Sequence, residues 1–139
     1  MYRDFMMSIV RNLEPRIEKK DSTIFEELDD INEVVFIEEG QVEIGYELNK
    51  KKKYVLRYYG HTLIGAYNCT FNVRAIFCYR AKTDCTGFSI RKQIWMSILN
   101  DYDEIGNYVK DNVELDYFTK IKDKVMYHKN KHIESLNHR

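Results

Sequence analysis

The stretch Glu33-Val34-Val35-Phe36-Ile37-Glu38-Glu39-Gly40-Gln41-Val42-Glu43-Ile44 decides the fold, because it holds two strand-like segments on either side of one glycine. Residues 34–37 are an unbroken apolar run. From Gln41 to Leu48 polar and apolar residues alternate, which is typical of a strand with one buried face. Gly40 supplies the positive φ that a tight turn needs. The stretch therefore predicts two antiparallel neighbouring strands joined by a hairpin turn.

Short apolar segments on both sides of this stretch predict further strands at residues 23–25, 54–58, 63–65, 75–81 and 85–90. Turn-forming residues join 54–58 to 63–65 and 75–81 to 85–90, so each of these two pairs is also predicted to be an antiparallel neighbour pair. Many short strands at such regular spacing favour a barrel or roll.

The apolar period becomes helical at both ends of the chain. Before residue 14 the apolar residues recur at helical spacing, and Pro15 bars the residue before it from the helical region. Beyond Arg91 the pattern predicts a short helix, a break near residues 100–103 and a long helix to about Tyr127. The predicted fold class is α+β, mainly β: an antiparallel, jelly-roll-like β-roll with one N-terminal helix and two C-terminal helices.

These periods divide the chain into an N-terminal helix in residues 1–15, a β-roll in 16–90, C-terminal helices in 91–127 and a flexible, polar tail in 128–139. Within the roll, residues 65–74 fit neither period and are predicted to form a pocket loop. The predicted core consists of residues on the apolar face of each element: Leu28, Val34, Phe36, Val42, Ile44, Leu56, Phe88, Ile90, Trp95 and Ile98.

Composition excludes several classes of function. The 22 basic and 22 acidic residues leave no net field for holding a polyanion, so nucleic acid is disfavoured as a partner. The four histidines offer no strand-borne pair for a metal, and no catalytic triad can be assembled, so we predict neither a metal site nor an enzyme. The lysine-rich run at 49–53 is interpreted as a solvated hairpin loop, with an acidic partner or lipid headgroups as the alternative.

The stretch from Glu33 to Ile44 resembles the family of cyclic nucleotide-binding domains, in which an apolar strand ends at a charged residue and a glycine and then continues as an alternating strand. Further motifs match in the same order: Leu56 with Gly60, Ile64-Gly65, Arg80-Ala81 and Gly87-Phe88-Ser89-Ile90. Among branches of the family, the chain looks most like the C-terminal domains of voltage-gated potassium channels and cyclic nucleotide-gated channels.

The resemblance implies a regulatory domain of a cation channel, specifically a potassium channel, that couples the state of its pocket and the position of its C-terminal helix to gating. It implies the remainder of the channel polypeptide and sister subunits of a tetramer as partners. It also implies a location on the cytoplasmic side of a membrane, with the domain itself soluble. No cofactor is implied apart from cAMP or cGMP as a ligand.

The resemblance places the pocket at Ile64, Gly65, Ala66, Tyr67, Asn68, Arg74, Ala75 and Ile76, with a lid helix carrying Tyr117, Phe118 and Ile121. In the family, a Glu after the glycine accepts the ribose 2′-hydroxyl and an Arg clamps the phosphate. Ala66 and Ala75 stand at these two positions here, which predicts weak or no cyclic nucleotide binding.

Two readings of the pocket stay open. In the first, the domain is an interaction module whose own residues fill the pocket, as in the ether-à-go-go-type channels. In the second, the domain is a competent cAMP or cGMP sensor that uses Arg74 for the phosphate. A small barrel enzyme of the cupin type is disfavoured, because it needs clustered metal ligands.

Overall fold

Eight antiparallel strands form two four-stranded sheets, and helices lie at both ends of the chain; residues 2–138 are described by a computed structural model. The predicted fold class, an antiparallel roll with terminal helices, is confirmed. The strands are β1 (Glu14–Glu18), β2 (Thr23–Phe25), β3 (Glu33–Glu39), β4 (Gln41–Leu48), β5 (Lys51–Tyr59), β6 (Thr62–Ile64), β7 (Cys78–Ala81) and β8 (Cys85–Arg91). The helices are α1 (Tyr2–Arg11), α2 (Ala66–Phe71), α3 (Lys92–Asp101), α4 (Asp103–Asp116) and α5 (Asp123–Asn137), with a π-helical segment (Tyr117–Lys122) between α4 and α5.

The sheet topology corrects the predicted strand pairings. One sheet has the order β1-β8-β3-β6 and the other β2-β7-β4-β5, so β3 and β4 lie in different sheets although a tight turn joins them. Gly40, with a φ of 110°, makes that turn a corner at which the chain leaves one sheet for the other. The predicted pairings of β5 with β6 and of β7 with β8 are wrong for the same reason. A tight turn in the sequence does not specify whether the following strand folds back or changes sheet.

The lysine-rich run contains the turn between two strands that do pair in sequence order. Asn49 and Lys50 have φ values of 53° and 64° and turn β4 into β5, while Lys51–Lys53 belong to β5. The predicted hairpin loop is therefore shorter than the run. Because β5 is an edge strand, its lysines also disfavour pairing with a strand of another molecule.

Three element boundaries differ from the predicted ones. Helix α1 ends at Arg11, and Pro15 lies in β1, an edge strand in which the missing N–H of proline is tolerated. The segment 65–74 contains the short helix α2. Residues 128–137 of the predicted flexible tail continue α5, which packs on β4 and β5. Tyr46 and His132 anchor this part of α5 through a hydrogen bond of 2.9 Å between the phenol oxygen and Nδ1.

Most of the predicted core is buried between the two sheets and under the helices. Leu28 is an exception at 71% exposure, because its backbone lies in a turn with φ of 73°. Phe88 is the other, at 38% exposure, because it alternates along β8 with the buried Ser89 and so points away from the roll interior. Between residues 2 and 138, no helix has the length and apolar character that crossing a membrane requires.

A buried carboxylate, Glu43 on β4, connects three strands through charged hydrogen bonds. Arg80 on β7 donates to its Oε2 at 2.6 Å and Arg57 on β5 to its Oε1 at 3.0 Å, while the Lys82 Nζ lies 3.8 Å from Oε1. Burial alone would raise the pKa of Glu43, but the hydrogen bonds from Arg80 and Arg57 outweigh it and hold the pKa below its usual value. The ionised form is therefore the one that the fold stabilises.

This geometry predicts a stability loss in acid that depends on Glu43. Because the folded-state pKa lies below the unfolded value, the contribution is complete above about pH 4.5 and is lost as the pH falls through the folded-state pKa. We expect Glu43→Gln to be less stable than the wild type at pH 7 and to lose less of its remaining stability between about pH 5 and pH 3. Urea unfolding at several pH values measures the free energy of unfolding of both proteins. Parallel curves of this free energy against pH would contradict the prediction. Glu38→Gln, on the exposed end of β3, is the control.

Candidate ligand pocket

A cavity of about 670 Å³ lies between the roll and the C-terminal helices. Its walls come from the β5–β6 turn (residues 58–63), the first turn of α2 with the residue before it (65–68), Tyr79 on β7, and one face of α4 and the π-helical segment. The helical residues recur every three or four positions: Tyr108, Val109, Asn112, Val113, Asp116, Tyr117, Lys120 and Ile121. This spacing puts them on one side of the continuous helix that α4 and the π-helical segment form. That side covers the cavity, and this helix is called the lid below.

Backbone geometry fixes the position of the cavity wall that α2 and its neighbouring residues form. Gly65 precedes α2 with a φ of 81°, and a Cβ there would lie 2.9 Å from the carbonyl oxygen of Glu33, so glycine is required at this position. The Asn68 side chain is buried and donates from Nδ2 to the carbonyl oxygen of Arg74 at 3.2 Å. At the other end, Asn72 closes α2 in the left-handed conformation. Residues 65–74, which the sequence predicted to be an irregular loop, therefore have a fixed backbone geometry. They are called the platform below.

An aromatic cluster joins this platform to the lid. The rings of Tyr67 and Tyr117 stack with centroids 4.0 Å apart and an angle of 3° between their planes. Phe118 packs edge-on against both rings, and Phe77 lies tilted 6.4 Å from Tyr117. Tyr117 is only 7% exposed. A ring of the lid helix is therefore seated against the loop, and the contact between lid and loop is aromatic.

The docked ring coincides with the π-helical segment of the lid. The Asp123 N–H donates to the carbonyl oxygen of Phe118, five residues earlier, instead of four. Tyr58 on β5 donates its hydroxyl proton to the carbonyl oxygen of Lys120 inside this segment. A π-bulge changes the register of the residues that follow it by about one position. The roll therefore contacts the backbone of the lid where its helical geometry is irregular.

The structure separates the predicted pocket residues into two groups. The cavity is lined by Gly65, Ala66, Tyr67 and Asn68 and, on the lid, by Tyr117 and Ile121. Phe118 packs edge-on against the ring of Tyr67, which is one of these lining residues. The other predicted residues lie elsewhere. Ile64 and Ala75 are buried in the core, Ile76 is 42% exposed, and the Arg74 Nε donates to Asp30 Oδ1 at 3.1 Å on the surface. Arg74 does not line the cavity.

Sequence reasoning named two of the cavity tyrosines, Tyr67 and Tyr117, and missed the other four. Six of the 11 tyrosines of the chain line it: Tyr58, Tyr59, Tyr67, Tyr79, Tyr108 and Tyr117. The helical spacing of 109, 113, 117 and 121 was a usable signal for the lid face. No signal in the sequence pointed to Tyr58 and Tyr79, because on alternating strands a core tyrosine and a pocket tyrosine look alike.

Few charged groups line the cavity, and they form an ion pair with each other. The Lys120 Nζ lies 3.5 Å from Asp116 Oδ1 on the same helical face, and none of the arginines between residues 2 and 138 lines the cavity. Burial raises the pKa of Tyr79 and of Tyr117 well above that of an exposed phenol, so both keep their protons at all physiological pH values. The cavity thus offers neutral hydroxyl groups and aromatic surfaces rather than a cationic anion site.

Solved structures with the same fold are numerous. The cAMP-bound regulatory domain of Toxoplasma gondii PKA matches with a TM-score of 0.65 and 9% identity over 68% of this chain. The C-linker and CNBHD of zELK channels, crystallised in the presence of cAMP, match with a TM-score of 0.70 and 16% identity over 82% of it. A cAMP-binding acyltransferase from Mycobacterium smegmatis matches with a TM-score of 0.59 and 16% identity over 69%.

This chain spans 36%, 57% and 30% of the lengths of those three structures, respectively. No protein-family model matches the sequence, and neither does any curated protein. At these identities the likeness establishes architecture and not ligand. The chain has the fold of a cyclic nucleotide-binding domain.

Proposed function

We propose that this chain is a regulatory domain whose pocket is closed by its own aromatic residues and which acts through the position of its C-terminal helix. The observation that carries the proposal is Tyr117, which is buried and stacked on Tyr67 at 4.0 Å. This ring belongs to the lid, and the loop that it covers is the one where the resemblance places the nucleotide pocket. The contacts that hold the lid on this loop therefore come from the chain's own aromatic side chains.

The chemistry of the loop supports weak or absent binding of cAMP and cGMP. Ala66 and Ala75 are small, buried and without charge at the two positions where the resemblance places the ribose and phosphate contacts. Arg74 is paired with Asp30 instead. A charge-assisted hydrogen bond contributes about 1.5–3 kcal/mol, so the loss of two lowers affinity by roughly 10² to 10⁴-fold.

The larger protein that we propose is a cation channel, specifically a potassium channel, in which the docked or released lid biases gating. The similarity to the CNBHD of zELK channels supports this context. The partners would then be the rest of the channel polypeptide and the sister subunits of a tetramer, with the domain on the cytoplasmic side of the membrane. The role would be regulatory and not catalytic.

Replacing Tyr117 with alanine tests the proposal. The change removes the stack on Tyr67 and most of the buried area of the ring, so we expect the lid to undock more often. Amide hydrogen exchange in residues 117–137 should become about tenfold to a hundredfold faster, which corresponds to about 1.4–2.7 kcal/mol, while exchange in β3 and β8 stays slow. Tyr108→Ala is the matched control, because Tyr108 is a lid tyrosine that is 71% exposed.

Two results would contradict the proposal. One is equal exchange in the Tyr117→Ala and Tyr108→Ala variants, since the stack would then not hold the lid. The other is tight, saturable binding of cAMP or cGMP by the wild-type protein that is lost in Arg74→Ala. That second result would establish the nucleotide sensor that uses Arg74.

A further inference from the structure

One wall of the cavity carries a hydroxyl group that has no hydrogen-bond partner in the described part of the chain. Tyr79 on β7 is 2% exposed and lines the cavity. Its ring packs edge-on against Phe25, with centroids 5.6 Å apart, but its hydroxyl has no hydrogen-bond partner among residues 2–138. Among these residues the Arg80 Nε is the only fully buried side-chain polar atom without a partner, so the unpaired Tyr79 hydroxyl is accessible from the cavity. A donor is thus present at the roll side of the cavity.

The walls of the cavity suit a flat, uncharged molecule. Six tyrosine rings line it, and aromatic rings favour stacked or edge-on contact with other rings. The charged groups of its wall are Asp116 and Lys120, which pair with each other. A phosphate or carboxylate entering the cavity would lose its hydration and would meet no guanidinium from residues 2–138. The volume of about 670 Å³ lies in the range of small-molecule sites.

We propose that this cavity binds an uncharged, planar heteroaromatic molecule, one edge of which accepts a hydrogen bond from the Tyr79 hydroxyl. The proposal rests on the function proposed above and names the ligand class of the same site. Such a molecule touches both the roll and the lid. It therefore favours the docked state in which Tyr117 lies on Tyr67, because a ligand shifts an equilibrium toward the state that it binds better.

Adenosine and cAMP form a matched pair of probes. They share the base and most of the ribose, and they differ in the charged cyclic phosphate. By calorimetry on the wild-type protein we expect adenosine to bind with a dissociation constant of about 10 μM to 1 mM, the usual range for a ligand of this size. Binding of cAMP should be at least about tenfold weaker, because the Lys120 ammonium of the cavity wall is already paired with Asp116 and is not free to compensate the desolvated phosphate.

The variant Tyr79→Phe separates a ligand contact from a structural role. The wild-type hydroxyl has no partner in the described residues, so the variant should melt at the same temperature or higher. Its affinity for adenosine should fall about tenfold, the equivalent of one neutral hydrogen bond. Tyr127→Phe is the matched control, since Tyr127 lies on the exposed side of α5 and should change neither quantity.

Three outcomes would overturn this ligand assignment. The first is the absence of saturable adenosine binding up to about 5 mM, a concentration well above the dissociation constants expected for such a ligand. The second is cAMP binding as tight as adenosine binding, and the third is an unchanged adenosine affinity in Tyr79→Phe. The first and third leave the proposed function intact, because the hydrogen-exchange test on Tyr117 uses no ligand. Conversely, adenosine binding with no effect of Tyr117→Ala on lid exchange would support the ligand and overturn the self-closed lid.

Discussion

Replacing Trp95 by alanine is expected to lower the free energy of unfolding by about 3–5 kcal/mol, as for other buried tryptophans. Trp95 lies on α3 and is 4% exposed. Its Nε1–H donates to the hydroxyl oxygen of Thr70 on α2 at 2.9 Å, in a buried environment. The truncation therefore opens a cavity and leaves the Thr70 hydroxyl without its donor. Urea unfolding followed by circular dichroism measures the loss.

The variant Trp95→Phe separates the effect of the lost hydrogen bond to Thr70 from the effect of the opened cavity. Phenylalanine keeps much of the apolar volume but cannot donate to Thr70, so we expect a loss of about 1–2 kcal/mol. Met96→Ala, a neighbour on α3 that is only partly buried, serves as the comparison for general damage to the helix. If Trp95→Ala and Met96→Ala unfold at the same urea concentration, Trp95 does not fasten α3 to α2 as described.

The second large effect is expected at Gly106 in the first half of α4. A Cβ at this position would lie 2.0 Å from the carbonyl oxygen of Leu99, which is backbone and cannot rotate away. Alanine normally favours a helix over glycine by about 1 kcal/mol. Here the overlap dominates, so we expect Gly106→Ala to destabilise the protein by about 2–3 kcal/mol through displacement of α4 from α3.

Asn107→Ala is the control for Gly106, because Asn107 is exposed on the same helix and its replacement should change stability by less than about 0.5 kcal/mol. Because α4 begins the lid, the Gly106 variant should also show faster hydrogen exchange in residues 108–121. A Gly106→Ala protein as stable as the wild type would mean that α3 and α4 do not approach this closely.

The sequence predicted the class of fold because its period changes twice, from helical to two and back. It did not predict the sheet partners. The turns at Gly40 and Gly60 are short enough for hairpins, and only the packing of two sheets decides that each is a corner. In the same way, Leu28 has an apolar side chain but lies in a turn whose backbone directs it outward. Local patterns do not encode such tertiary choices.

The candidate site was predictable where it depends on local chain geometry and unpredictable where it depends on packing. Gly65 marks the platform because a positive φ is needed there, and residues 117 and 121 share a helical face. Arg74 carries the right charge in the right segment, yet it is 66% exposed and bonded to Asp30. Only the three-dimensional arrangement distinguishes a residue beside a loop from a residue inside its cavity.

The π-helical segment has a consequence for how the lid could transmit a signal. Each residue of an α-helix turns the chain by about 100°, so the extra residue at Tyr117–Lys122 sets the angular position of everything after it. If this segment adopted α-helical hydrogen bonding, α5 would rotate about its own axis by roughly that angle. His132 would then leave Tyr46, and a different side of α5 would face β4 and β5. A change in the pocket would then reach the far end of α5 as a rotation about the helix axis, without a hinge motion.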